Sequence, residues 1–233
     1  MSENDIELKK LQLQLRKHVN EQMSKWSSFV YAQKNGFYQG FDKIGIQGCR
    51  PTEKRFLRYK IEKYLSKEKT ALDIGSNCGF LTIHLSTFLK HIDGVELNPY
   101  LTNIGNDTKK FLNIKNMDLF SSRFEDFKPT KKYDIIFSLA NDDTIDGNTE
   151  FTFEEYIGKI QDLLNEGGHL MWETISPDTY DPELFKPKRT ILEKKFTLLE
   201  EKMVKSEYPV NVPERRFLVF QKKLSWQRIL LVT

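Results

Sequence analysis

The chain has 233 residues, 39% of them apolar, enough for one α/β domain of ordinary size with a modest addition. Charged residues make up 30% and the formal net charge is +3 with both signs interspersed, which argues against a dedicated nucleic-acid binder with a concentrated basic face. Cys49 and Cys78 complete no metal-ligand spacing, MSENDIELKK lacks the apolar core of a signal peptide, and no apolar run is long enough for a membrane span; reduced thiols, no metal and a cytoplasmic location are expected.

Residues 5–34 read as a helix, because Leu8, Leu11, Leu15 and Val19 recur at helical spacing. It either packs on the domain or serves as a homodimer contact or active-site lid. A Gly-rich loop, NGFYQGFDKIGIQGCRPTEKR, leads to an extended Arg50-Pro51 entry and a helix over 52–65. Strands are expected at 69–75, 91–97, 117–122, 133–139 and 169–175, with helices at 80–89, 99–111 and 153–164. This alternation implies βαβ units and a mainly parallel sheet. The three prolines of SPDTYDPELFKPKR predict a loop. KKFTLLEEKMVK and RRFLVFQKK read as a closing pair of strands with some helix before them, and the apolar tail SWQRILLVT is assigned no element. The division is an N-terminal helical extension and covering loop (1–65), a main domain (66–224) and a tail (225–233).

The most informative segment is Leu72-Asp73-Ile74-Gly75-Ser76-Asn77-Cys78-Gly79-Phe80. A strand runs into a turn whose glycines reach backbone angles closed to other residues, and a helix follows. Such a turn lies at the carboxyl end of a parallel strand, where open α/β sheets bind ligands. The spacing is G-x-x-x-G, not the G-x-G-x-x-G of dinucleotide sites. Asp73, two residues before Gly75, suits a ligand amino group and is a poor neighbour for a pyrophosphate. Glu96 ends the next strand, where a carboxylate accepts bonds from two ribose hydroxyls.

ALDIGSNCGFLTIHLS resembles motif I of the class I S-adenosylmethionine (SAM) dependent methyltransferases. GVELNP resembles their acidic second motif, YDIIFSLAN their fourth-strand motif, and LLNEGGHLMWET their fifth-strand segment. Order and spacing match over about residues 69–175. The wider stretch from GFYQGFDKIGIQGCRPTEKRF to SLANDDTIDGNTEFTFEEY resembles bacterial methyltransferases of surface-glycan and small-molecule biosynthesis. The resemblance implies a Rossmann-like α/β fold with a seven-stranded, mainly parallel sheet, and SAM as cofactor. It places Asp73, Gly75, Asn77 and Gly79 along the methionine part of SAM, Glu96 on the ribose, Leu97 beside adenine and Asn141 near the transferred methyl. Family members often carry an Asp after the third strand for the adenine amino group. This chain has Arg123 there, so Phe124 packing is expected instead.

Asn141-Asp142-Asp143-Thr144-Ile145-Asp146-Gly147-Asn148 follows the fourth strand, where the acceptor should lie. Asp142 is the first candidate general base and Asp143 the second; both equally suit a loop whose Asp and Asn side chains bond its own backbone. Arg50 and Arg55 offer planar forks for an anion, Arg50 for the SAM carboxylate and Arg55 for the acceptor. Tyr38 and Gln39 are placed to close over the cofactor, and Glu173 to serve as a substrate-pocket acid. His84 and His169 read as packed or surface residues, and Trp172 as core. The expected function is O-methylation of a sugar, glycan precursor or other polar small molecule. RNA methylation and a SAM-binding module without turnover are the alternatives.

Overall fold

The apolar runs pair into one seven-stranded sheet in the computed structural model of the chain, which describes residues 2–28, 30, 36–143, 147–209 and 211–224. In chain order, α1 (Glu3–Lys25) precedes a small pair, β1 (Phe37–Gly40) and β2 (Gly48–Pro51), and α2 (Thr52–Tyr59). Then β3 (Thr70–Ile74), α3 (Phe80–Ser86), β4 (His91–Glu96), α4 (Pro99–Phe111) and β5 (Met117–Ser121) build one half of the sheet. The chain returns through β6 (Tyr133–Leu139), α5 (Phe153–Leu163) and β7 (Leu164–Glu173) to build the other half. Two helices, α6 (Ser176–Tyr180) and α7 (Pro182–Lys195), lead to the closing strands β8 (Phe196–Lys205) and β9 (Glu214–Lys222).

The strand order is β5-β4-β3-β6-β7-β9-β8, with the first five strands parallel, β9 antiparallel to β7, and β8 antiparallel to β9. This is the expected Rossmann-like, mainly parallel architecture. Alternating side chains feed two cores, because successive strand residues point to opposite faces. Ala71, Ile135, Phe137 and Met171 join α1, α3 and α4 on one face. Leu72, Ile136, Leu170 and Trp172 join α5 and α7 on the other. Pairing of Ile74 with Val95 and with Ser138, of Glu96 with Ser121, and of Leu139 with Glu173 aligns the carboxyl ends along one edge. The order in which the chain adds strands reverses at β3, with β4 laid down on one side and β6 on the other, which opens a ligand crevice at that edge.

Several segments depart from the sequence reading. The helix expected over 5–34 stops at Lys25, where the Trp26 amide bonds the Gln22 carbonyl at 3.0 Å; residues 29 and 31–35 lie outside the described residues. Leu11, Leu15 and Val19 bury against the domain as their spacing predicted, and His18 bonds Asp107 on α4 at 2.8 Å. The Gly-rich loop contains the parallel β1–β2 pair. The helix expected over 52–65 ends at Tyr59 because Lys60 turns left-handed at φ 48°. The proline-rich stretch is helical. Pro177 and Pro182 sit in the first turns of α6 and α7, where a missing N–H costs nothing, and Asp181 caps α7 by accepting from the Glu183 amide at 2.9 Å. Residues 225–233 lie outside the described residues. Among the described residues no helix is long and apolar enough to cross a membrane.

The approach of α4 to the turn after β3 depends on Gly105. A Cβ there would collide with Leu119 and come within 3.0 Å of the Cys78 carbonyl. Gly105→Ala should therefore destabilise the protein by about 1–3 kcal/mol, the usual cost of overpacking. An open helical site would instead gain about 1 kcal/mol. Chemical denaturation of the two proteins distinguishes these outcomes.

Candidate functional site

The carboxyl edge forms a cleft of about 750 Å³, open mouth included. Tyr38, Gln39, Arg55, Asp73, Gly75, Asn77, Glu96, Leu97, Phe124, Asn141 and Asn148 are among its lining residues. Nearly all of the sequence-derived cofactor candidates meet here. Gly79 stands just behind the lining as the left-handed N-cap of α3, at φ 70°.

The turn after β3 is held from three sides. Gly75 and Ser76 donate to the Val95 carbonyl at 2.8 and 3.0 Å, which ties the turn to β4. Glu96 accepts from the Asn77 amide and from the Asn98 amide, each at 2.9 Å. A carboxylate offers about four acceptor positions, a donor-accepting group suited to a diol. From the N-terminal segment, the Gln39 amide group donates to the Ser76 carbonyl at 3.2 Å and accepts from the Phe80 amide at 3.1 Å. Asn141 reaches across from β6 and donates to the Ile74 carbonyl, while Ser138 donates to its side-chain oxygen at 2.8 Å. Gly75 has φ 66°, and a Cβ there would stand 2.6 Å from the Asn141 nitrogen, so glycine is required on both counts.

Asp73 is buried and accepts from Thr82 at 2.6 Å. Burial raises its carboxyl to about 6, against the opposing pull of that hydrogen bond and of Arg55. Burial pushes the Cys78 thiol well up, so it is inert as a thiolate. Val95, Leu97 and Phe124 are among the apolar residues of the lining. Arg123, the departure noted in the sequence, turns outward to pair with Glu150 at 2.6 Å.

Four candidates stand elsewhere. Asp142, expected as general base, is buried outside the lining and takes the Lys188 ammonium of α7 at 2.6 Å; Asp178 binds the same ammonium at 2.7 Å. A buried carboxylate needs a cationic partner, and α7 supplies it. Asp143 is exposed outside the lining, and Asp146 lies outside the described residues. Glu173, expected as a pocket acid, is fully buried and outside the lining. Arg50, expected on the SAM carboxylate, donates to Glu173 at 2.7 Å. Arg55 and Arg215 stand 3.9 and 3.5 Å from the same carboxylate, and the Tyr59 hydroxyl donates to it. Burial alone would raise the Glu173 carboxyl, but Arg50, Arg55 and Arg215 hold it at about 2. Neither Tyr59 nor Arg215 carries a local sequence signal. Their role exists only once α2 and β9 meet β7.

At the opposite edge, His91, Asp93 and Asp118 cluster tightly enough for a metal ion, but Lys131 and Lys109 neutralise the two acids at 2.8 and 3.0 Å. His84 packs on Phe56 and Phe88, and Trp172 fills the core as expected.

A family model described as a methyltransferase domain matches residues 49–214. Comparison with curated proteins gives no match. Among solved structures, the N-methyltransferase NodS from Bradyrhizobium japonicum, in complex with S-adenosyl-L-homocysteine (SAH), is similar at 15% identity; the match covers 72% of this chain and 84% of that one, with a TM-score of 0.56. A methyltransferase from Pyrococcus furiosus matches at 16% identity over 91% and 98% of the two chains, with a TM-score of 0.58. The M. jannaschii tRNA m1G37 methyltransferase matches at 20% identity over 73% and 49%, with a TM-score of 0.52. At these identities the likeness is one of fold.

The buried Asp73 predicts a pH dependence. Its carboxyl is raised in the folded state to about 6, so the folded chain binds more protons than the unfolded one from about pH 4 to pH 6, and stability falls as pH rises through that window. Asp73→Asn removes this term. Ligand-free Asp73→Asn should gain on wild type by about 2 kcal/mol between pH 4 and pH 7. Unfolding curves that run parallel over that range would contradict the assignment.

Proposed function

The chain belongs to the methyltransferase-domain family, the class I SAM-dependent methyltransferases, and on that premise we propose that it transfers a methyl group to an oxygen of a sugar, glycan precursor or other polar small molecule. The observation that carries the reading is the order of groups along one cleft. Following the strand order, Phe124 stands after β5, Glu96 and Leu97 at the end of β4, Asp73 and Gly75 at the end of β3 and Asn141 after β6, with Tyr38, Arg55 and Asn148 completing the polar part of the lining. This donor set fits SAM in chemistry as well as sequence: an apolar slot for a base, a carboxylate for a diol, and a buried acid for an ammonium group.

Bound SAM supplies a methyl group carried on a positively charged sulfur. The chain's task is alignment and exclusion of water, which in a direct displacement lowers the barrier by several kcal/mol. Glu96 holds the ribose. Leu97 and Phe124 flank the adenine. Asp73 faces the ammonium group, and its own ionisation is favoured by that charge. Gly75 lets the ligand approach the main chain. Asn141, fixed by Ile74 and Ser138, and Asn148 orient the acceptor beside the methyl group. Asp142 stands outside the lining with one carboxylate oxygen on Lys188, so in this reading the proton that a hydroxyl acceptor loses passes to water. The polar mouth supports a hydrophilic acceptor over a flat apolar one, and the mild net charge supports a small molecule over RNA.

Incubation with methyl-labelled SAM should label a sugar-type acceptor and leave tRNA and rRNA unlabelled; labelling of RNA alone would replace this reading. Glu96→Ala should weaken SAH binding by about 10- to 100-fold, the loss of hydrogen bonds to a charged group. Titration calorimetry on the folded variant reads it. Unchanged affinity would remove Glu96 from the ribose.

A further inference from the structure

The wall behind the polar mouth holds more positive charge than the protein neutralises. Arg50, Arg55 and Arg215 are each at least nine-tenths buried, and all three share the single carboxylate of Glu173. Only Arg50 makes a true hydrogen bond to it. The Arg55 Nε and Nη2 donate to the Tyr59 hydroxyl at 3.2 and 2.9 Å, and Arg215 donates to the Thr174 carbonyl at 3.0 Å and the Ser176 hydroxyl at 3.1 Å. Those partners are neutral. The Nε atoms of Arg50 and Arg215 are buried without a hydrogen-bond partner, and among the described residues Arg55 Nη1 makes none. Burial presses the Arg215 guanidinium down, and the Arg50 charge adds to the pressure, as expected of cations crowded together.

Even when Asp73 is counted with Glu173, three guanidiniums face two carboxylates and one positive charge remains. SAM does not remove the surplus, because its carboxylate is outweighed by its ammonium and sulfonium together. A buried guanidinium without a full set of acceptors costs free energy that a complementary anion offsets. Arg55 is the one of the three that lines the cleft, beside Tyr38 and Asn141. Arg50 and Arg215 stand behind it. Guanidinium forks match the planar oxygens of carboxylates and phosphates.

We propose that the acceptor carries an oxyanion, a carboxylate or a phosphate group, which docks on Arg55 at the polar mouth with the Arg50 and Arg215 charges behind it. The acceptor class is then an acidic or phosphorylated sugar or a comparable anionic small molecule. The inference rests on the reading that the cleft holds SAM, and it narrows the acceptor of that same site.

The test is a calorimetric titration of the SAH-loaded protein with D-glucuronate, glucose 1-phosphate and glucose. At least one charged sugar should bind about tenfold or more tightly than glucose, the difference that charge-assisted hydrogen bonds give, and added salt should weaken it. The two charged arms separate a carboxylate from a phosphate preference. Arg55→Gln should bring the charged sugar to the level of glucose while SAH affinity stays within about threefold, since the cofactor keeps Glu96 and Asp73. Equal binding of glucose, or no saturable binding of either charged sugar, overturns the proposal whether or not the variant folds. Loss of SAH and sugar together in a folded Arg55→Gln would assign the wall to the cofactor and overturn it as well. Absence of SAH binding in wild type is a different outcome and overturns the cofactor reading first.

Discussion

One buried carboxylate holds the catalytic edge of this protein together. Glu173 ends β7 and collects Arg50 from the end of β2, Arg55 and Tyr59 from α2, and Arg215 from β9. Removing one partner of a buried ion pair typically costs 3–5 kcal/mol, because the remaining charge is left without compensation. Here a single acid compensates several cations, so the N-terminal segment, the central sheet and the antiparallel strands are fastened at one point. That point lies beside the mouth of the cleft. The same contact that seats α2 on the sheet therefore places Arg55 in the lining.

The rest of the site is built on the same principle of shared anchors. Glu96 fixes the amides of Asn77 and Asn98, so the turns after β3 and β4 cannot move independently. Asn98 also donates to Gln22 of α1 at 2.6 Å, which brings the N-terminal helix into the same network. Gln39 and Asn141 grip the β3 turn from opposite sides. A site held this way is organised before any ligand arrives, which is what alignment-based catalysis requires. The cost is visible in Asp73, a buried acid that is less stable ionised until a cationic group meets it.

Much of this was legible in the sequence, because the informative signals are local. The strand–glycine–helix pattern around Gly75 and the acid at Glu96 lie within a few residues of the structure they specify. The apolar run Tyr133–Leu139 matches β6 from end to end. The departures share a cause. Prolines 177 and 182 point to a loop in the sequence, though each occupies a first helical turn where proline is tolerated. Position alone suggests chemical roles for Asp142 and Glu173, and the structure places both outside the lining. Their partners, Lys188 and the three arginines, are supplied by α7, α2 and β9, at separations that no spacing rule reaches. The excess of arginine charge was equally hidden, since Arg215 gains meaning only through β9 pairing with β7.

The central claim is that this crevice binds the SAM skeleton and not a dinucleotide. Isothermal titration of purified protein with SAH and, separately, with NAD tests it most directly. The account predicts saturable one-to-one binding of SAH and none of NAD. Saturable binding of NAD with none of SAH would contradict it.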